Sequence, residues 1–241
     1  MESNSVFLFV DFIAVAVGRN FMARDMKFEN TAGPSKHQAV ALRSGSDRSV
    51  FHRCAFDAYQ DTLYAHSNRQ FFRDCDITGT VDFIFGNAAV VFQSSTIRPR
   101  QPDLRQMNTI TAQGKADPNQ NTGISIQGCQ IQALGNVSAP TFLGRPWKPY
   151  STTIIMQTGI SNVVDPAGWL PWESSSVEPP KTIFYAEYEN TGPGAILASR
   201  VKWAGYYPTI TKEQASKFTV NSFIQGNEWL PPTGVTFAST L

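Results

Sequence analysis

Cysteine, histidine and charge are all scarce in this chain. Three cysteines, Cys54, Cys75 and Cys129, stand among 241 residues. They are too few for a small disulfide-built fold and wrongly spaced for a zinc site, and their odd number leaves at least one unpaired within the chain. Charged residues make up only 16%, and twenty basic against nineteen acidic side chains give a net charge of +1. A dedicated nucleic-acid binder would show a basic excess, so none is expected as a partner. The balance neither requires nor excludes a polyanionic carbohydrate. Long apolar runs are also missing. The best stretch, Val6 to Val17, is interrupted by Asp11 and preceded by Glu2. It lacks the basic flank of a secretory signal and is too short to span a bilayer. It reads as a buried strand, with a signal or anchor as the alternative, and no other segment suggests a membrane. The single N-x-[ST] triplet, Asn136-Val-Ser138, is weak support for secretion.

What the chain does have is apolar residues (41%) and frequent punctuation, with seventeen glycines and fifteen prolines. A large core is therefore expected, and wholesale disorder is not. A short pattern recurs: a small or sulfur-bearing residue, one spacer, then a large apolar residue. It appears at Met26/Phe28, Cys54/Phe56, Cys75/Ile77, Ser95/Ile97, Cys129/Ile131 and Thr158/Ile160, at intervals of 28, 21, 20, 34 and 29. Periods of about 20–30 residues built on strand-like units indicate a solenoid. Short strands are predicted at Ala39–Leu42, Val81–Phe85, Ala89–Phe92, Ile124–Ile126 and Thr153–Met156. One short C-terminal helix is predicted near Lys212–Lys217, after the capping residue Thr211. An all-β parallel β-helix accounts for this, since each turn buries its inner face only by stacking on the next. A jelly roll or β-sandwich is the rival. Longer intervals, such as Arg98 to Asn121, read as loops protruding from a turn.

The same period applied to polar residues gathers a candidate site. Asp61 and Asp82 are 21 apart; Gln38 and Gln60 are 22 apart, as are Gln60 and Asp82. Positions one turn apart in a parallel coil lie ~4.8 Å above one another. Gln38, then Gln60-Asp61, then Asp82 would occupy three successive turns. Two carboxylates so close repel, and one then holds a proton more readily than its neighbour. That division suits an acid and a nucleophile. Asp82 also sits in an apolar stretch, where a charge is expensive unless compensated. The competing reading is a solvated or backbone-capping ladder of turn residues.

These residues carry a likeness. Gly79-Thr-Val-Asp-Phe-Ile-Phe-Gly-Asn-Ala88, Ala58-Tyr-Gln-Asp-Thr-Leu-Tyr64, His37-Gln-Ala-Val-Ala-Leu-Arg43 and Leu143-Gly-Arg-Pro-Trp147 closely resemble the hallmark blocks of plant pectin methylesterases. Thr111-Ala-Gln-Gly114 and Pro166-Ala-Gly-Trp-Leu-Pro-Trp172 add to it, and the likeness runs from about Asp11 to the C-terminus. The resemblance implies a single right-handed parallel β-helix domain over residues 1–241. Its expected activity is a carboxylic ester hydrolase removing methyl esters from cell-wall homogalacturonan, secreted to the plant cell wall. Carried over, Asp82 is the nucleophile, and Asp61 is the acid and then the base. Gln38 and Gln60 hold the oxyanion, and Arg145 keeps Asp82 ionised and oriented. Amide donors suit an oxyanion because they give up no proton, and a guanidinium matches a carboxylate in a two-point pair. Substrate contacts are expected from Gln38, Arg145, Trp147, Phe85, Tyr64 and Trp172. Core packing is expected of Trp169, Trp203 and Trp229. No metal or cofactor is required, and His37, His52 and His66 read as structural or surface residues. A proteinaceous inhibitor is a further expected partner. Cys54 and Cys75, 21 apart, could pair or remain free.

Two departures from the family pattern stand out. Family domains begin with several dozen further residues that build the first turns and an end cap. Residues 1–10 also diverge, reading Ser5-Val-Phe-Leu-Phe-Val10 where the family usually has a threonine-containing segment. The alternative function is therefore a truncated, catalytically impaired coil that at most binds pectin. Polygalacturonase and pectate lyase readings lack their clustered acidic–histidine or calcium-binding motifs.

Overall fold

The short strands set by the alternating apolar residues stack into three parallel sheets. The computed structural model describes residues 12–173 and 178–241, so the segment Ser5–Val10 lies outside the described residues. One sheet has six strands, from Phe12–Ala16 through Val40–Ser44, Leu63–Ala65, Ile84–Gly86 and Asn108–Gln113 to Thr141–Gly144. A second has eight, from Met22–Arg24 to Tyr206–Tyr207, and a third has six, from Lys27–Glu29 to Gly159–Ile160. Every pairing is parallel and joins one turn of the coil to the next. This is a parallel β-helix, as the repeat implied. Phe12–Ala16 is a strand with Ala16 buried, in keeping with the strand reading of that apolar stretch.

The recurring pattern in the sequence is the third sheet. Phe28 pairs with Phe56, Phe56 with Ile77, Ile77 with Ile97, Ile97 with Ile131 and Ile131 with Ile160. All but Phe28 are at most 1% exposed. Beside this column the second sheet contributes a pile of rings: Phe51 stacks on Phe72 at 4.6 Å and Phe72 on Phe92 at 4.7 Å. Each buried ring contributes roughly 1.5–3 kcal/mol by leaving water, and stacking adds about 0.5–1.5. Cys54, Cys75 and Cys129 sit in the same core with free thiols. Burial pushes all three thiols up, Cys129 to about 12.

Two residues carry the chain from the second sheet to the third on six circuits, and the first of the two is left-handed each time. Asp25, Arg53, Asp74, Ser94, Gly128 and Gln157 occupy this corner, all with φ between 52° and 60°. That left-handed conformation strains an L side chain by roughly 1–2 kcal/mol, and glycine alone escapes it. Nothing lies within 4 Å of a Cβ built on Gly128, so its replacement tests the backbone alone. Gly128→Ala should lower stability by about 1 kcal/mol, whereas Ser94→Gly should raise it slightly. Urea unfolding of both variants checks this; equal stability of Gly128→Ala and the parent would refute it.

Three features differ from the sequence expectations. Asp82 is not on a strand: the strand begins at Ile84, and Asp82 is a left-handed turn residue with φ 52°. Its apolar neighbours Val81, Phe83, Ile84 and Phe85 are buried, which mimicked a strand in sequence. The Arg98–Asn121 interval is not all loop, because Asn108–Gln113 is a fully buried strand within it. Among the described residues the C-terminal helix is one of three α-helices: α1 (Lys212–Ser216), α2 (Val220–Ile224) and α3 (Gly226–Trp229). Thr211 caps α1 with a reciprocal Gln214 bond, as expected. The second and third helices cover Val50, Phe71, Ala89 and Val91 on the outer face of the second sheet with Val220, Phe223, Ile224 and Trp229.

Candidate active site

The turns entering the first sheet carry the two aspartates. Leu63 pairs with Ile84 and Tyr64 with Phe85, and this offset of 21 sets Asp61 beside Asp82 on adjacent rungs. The Asp61 amide donates to the Val81 carbonyl at 3.0 Å. Both residues are left-handed, with φ 62° and 52°, so the same kind of turn is repeated on the two rungs. Gln38 and Gln60 form an isolated parallel bridge, which places the glutamines on adjacent rungs as the sequence spacing implied. The 22-residue match of Gln60 to Asp82 does not hold, because the register of 21 sets Gln60 beside Val81. Gln38 and Gln60 are 22 apart because the amides of Ala41 and Leu42 both bond the Thr62 carbonyl, which takes up one residue before the register of 21 begins at Leu42 and Leu63.

Asp82 is 5% exposed, and a charge so buried needs compensation. Arg145 supplies it with a two-point pair, Nε to Oδ1 at 2.8 Å and Nη2 to Oδ2 at 2.7 Å. Thr109 supplies more. Its hydroxyl donates to Asp82 Oδ1 at 2.6 Å and accepts from the Asp82 amide at 2.8 Å. Sequence reasoning missed Thr109. The register that pairs Ile84 with Thr111 puts it one rung beyond Asp82, but 27 residues away, outside the spacing of 21–22 used to find the others.

Arg145 reaches Asp82 from the strand end at Gly144, and its amide bonds the Thr111 carbonyl at 2.9 Å. The guanidinium also lies 4.4 Å from the Trp172 ring, an arrangement that orders it without withdrawing it from the carboxylate. Trp172 and Trp147 are 6.4 Å apart, Trp147 and Phe85 6.2 Å, and Phe85 stacks on Tyr64 at 4.3 Å. Arg43 continues the row, 5.7 Å from Tyr64. The four aromatic residues named from sequence thus form one continuous wall. Within it Phe85 is 8% exposed and serves mainly as packing, while Trp172, 37% exposed, presents most surface. Gly114 lets Trp147 close on the coil, since a Cβ there would lie 2.6 Å from its Cε3. A cavity of about 340 Å³ opens behind Trp147 and Trp172, lined also by Pro146, Lys148 and Glu173. The aspartates do not line it: Asp82 is buried beneath Arg145 and Asp61 is half-buried.

Burial raises the Tyr64 hydroxyl above its ordinary value. Burial chiefly, with a smaller contribution from the Asp82 charge, raises that of Tyr185. The histidines stand apart: His37 is exposed, His52 lies 3.5 Å from Asp74, and His66 bonds the Ser67 hydroxyl at 2.9 Å. Desolvation lowers both His52 and His66. Trp169 and Trp229 are buried, and Trp203 packs against the core.

A coil with a paired, buried aspartate, a second aspartate one rung away and an aromatic wall matches one family model, Pectinesterase, over residues 6–227. The chain belongs to the pectinesterase family. It is 68% identical over 225 residues to pectinesterase 3 of Phaseolus vulgaris, covering 93% of this chain and 39% of that protein. It is 61% identical over 223 residues to a probable pectinesterase/pectinesterase inhibitor of Arabidopsis thaliana, covering 92% and 39%. The chain therefore spans about two fifths of the length of these curated relatives. Among solved structures, the pectin methylesterase from carrot superposes with a TM-score of 0.92 at 53% identity, covering 97% of this chain and 74% of that one. The Aspergillus niger enzyme gives 0.71 at 28%.

Proposed function

We propose that this pectinesterase-family chain hydrolyses the methyl esters of homogalacturonan, releasing methanol and leaving the polymer's carboxylates. The observation that carries the reading is Asp82: buried, held at both oxygens by Arg145, and one rung from Asp61. A carboxylate is a poor nucleophile in water and needs a fixed direction and a desolvated seat. The wall of Tyr64, Phe85, Trp147 and Trp172 supplies the seat, and the Arg145 fork supplies the direction.

In this reading an Asp82 oxygen attacks the ester carbonyl carbon, and the carbonyl electron pair moves onto oxygen. The side-chain amides of Gln38 and Gln60 hold that oxyanion. Collapse breaks the carbon–methoxy bond, and protonated Asp61 gives its proton to the leaving oxygen, producing methanol and a mixed anhydride on Asp82. Asp61, now a carboxylate, takes a proton from water as the hydroxide attacks the substrate's acyl carbon. The anhydride bond breaks, Asp82 is again a carboxylate, Asp61 is again protonated, and the product acid ionises into solvent. Trp147 and Trp172 offer ring faces to the C–H faces of the sugars. The substrate places the protein in the plant cell wall, and a proteinaceous inhibitor is a candidate partner for the same site.

Methanol release from highly esterified pectin tests this, with new reducing ends and unsaturated products assayed in parallel, with and without calcium. The folded chain should release methanol and neither of the others. Asp61→Asn should slow release by about 100-fold or more, the usual contribution of a general acid–base group. A folded chain that releases no methanol would instead be a coil that at most binds the polymer.

A further inference from the structure

We infer that Thr109 is a positioning residue for Asp82, and that Asp82 attacks through Oδ2. This rests on the reading of Asp82 as the nucleophile. A carboxylate has two oxygens and about four lone-pair sites in its plane. Oδ1 receives two donors, Arg145 Nε at 2.8 Å and the Thr109 hydroxyl at 2.6 Å. Oδ2 receives one among the described residues, Arg145 Nη2 at 2.7 Å. Both sites on Oδ1 are therefore committed, and an uncommitted pair remains on Oδ2. Electrons shared with two donors are poor at bond formation, so the less encumbered oxygen makes the bond to the ester carbon.

Thr109 does a second thing that Arg145 cannot. Its one hydroxyl oxygen accepts from the Asp82 main-chain amide at 2.8 Å while its proton goes to the side-chain oxygen. It thereby links the left-handed backbone of Asp82 to the orientation of its carboxylate plane. The arrangement is rigid. Thr109 is 0% exposed, its amide bonds the Thr80 carbonyl at 3.2 Å, and its carbonyl accepts from Phe83 at 3.3 Å. The main-chain bonds thus flank Asp82 on both sides. Without the hydroxyl, Arg145 alone would hold the carboxylate by one edge, and rotation about that edge would carry Oδ2 away from the ester.

Kinetics of Thr109→Val and Thr109→Ser on methyl-esterified pectin test the first half. Thr109→Val should lower kcat by about 10–100-fold, the worth of a charge-assisted hydrogen bond, with KM changed less than about two-fold. Thr109→Ser, which keeps the hydroxyl, should return kcat to within about five-fold of the parent. Equal loss in both variants would mean that Thr109 is only packing. An unchanged kcat in Thr109→Val, or a rise in KM alone, would also overturn the inference. Circular dichroism confirms the fold of each; if Thr109→Val does not fold, Thr109→Cys, with its weak thiol donor, takes its place under the same criteria. A parent chain releasing no methanol would count against the functional reading, whereas an active parent indifferent to these changes counts against Thr109 alone. A crystal structure of Asp61→Asn with a methyl-esterified oligogalacturonide tests the second half. Oδ2 should lie about 3–3.5 Å from the ester carbon, and a closer Oδ1 would overturn the assignment.

Discussion

With Asp82 in the proposed role of nucleophile, Asp82→Asn should lower kcat for methanol release by at least about 1,000-fold, because a neutral amide does not form the acyl intermediate. The shape of the side chain is kept, so the loss is one of chemistry. The amide would set an NH2 group or a weaker carbonyl acceptor against the Arg145 fork and the Thr109 hydroxyl, where the aspartate now accepts three bonds. Arg145 is not stranded by this, since its side chain is 22% exposed and rests on Trp172. Stability should therefore change by no more than about 2 kcal/mol in either direction. Methanol assay together with thermal unfolding separates the two effects. A folded Asp82→Asn chain with a tenth of parental activity would show that the nucleophile lies elsewhere.

The second large effect is on stability, and it lies near the C-terminal end of the coil. Glu187 and Arg200 form an ion pair with both side chains 2% exposed. Arg200 donates through Nε at 2.8 Å and Nη2 at 3.1 Å. Glu187 also accepts from the Tyr206 hydroxyl at 2.8 Å and the Trp169 indole at 3.4 Å. Arg200 further bonds the carbonyls of Gly194 and Pro166, tying the loop after Tyr188 to the last turns. Arg200→Met removes one charge and leaves the other buried, so unfolding should become easier by about 3–5 kcal/mol. Replacing Glu187 by Met in the same chain should recover part of that, but not all, because Tyr206 and Trp169 then lack an acceptor. Urea unfolding of the single and double variants measures this; a loss below 1 kcal/mol in Arg200→Met would mean that water reaches the pair.

The coil was legible because its core column is written in the sequence without interruption: Phe56, Ile77, Ile97, Ile131 and Ile160 each follow a cysteine, serine or threonine by two positions. Asp61 and Asp82 were legible for a related reason, since one regular turn separates them. Arg145 could not be found by spacing. It reaches Asp82 from a strand two rungs away, past Ala112, and only the Leu143–Trp147 block pointed to it. Thr109 carried no block and no regular interval. The backbone of Asp82 was misread because hydropathy reports burial, and a buried left-handed turn looks like a strand to any rule based on apolar neighbours.

The corner between the second and third sheets has a consequence for how such a chain can vary. From Arg24 to Lys27, His52 to Ala55, Arg73 to Asp76, Gln93 to Thr96, Gln127 to Gln130 and Met156 to Gly159, two residues make the crossing every time. Circuit lengths that range from 20 to 34 residues are therefore accommodated only on the other two sides. That edge acts as a ruled margin from which each line is measured, whatever is inserted elsewhere along it. Extra residues can lengthen the other two sides while the two aspartates stay one rung apart, but a single residue added at the margin would have to bulge out of a crossing that holds two residues on each of these six circuits.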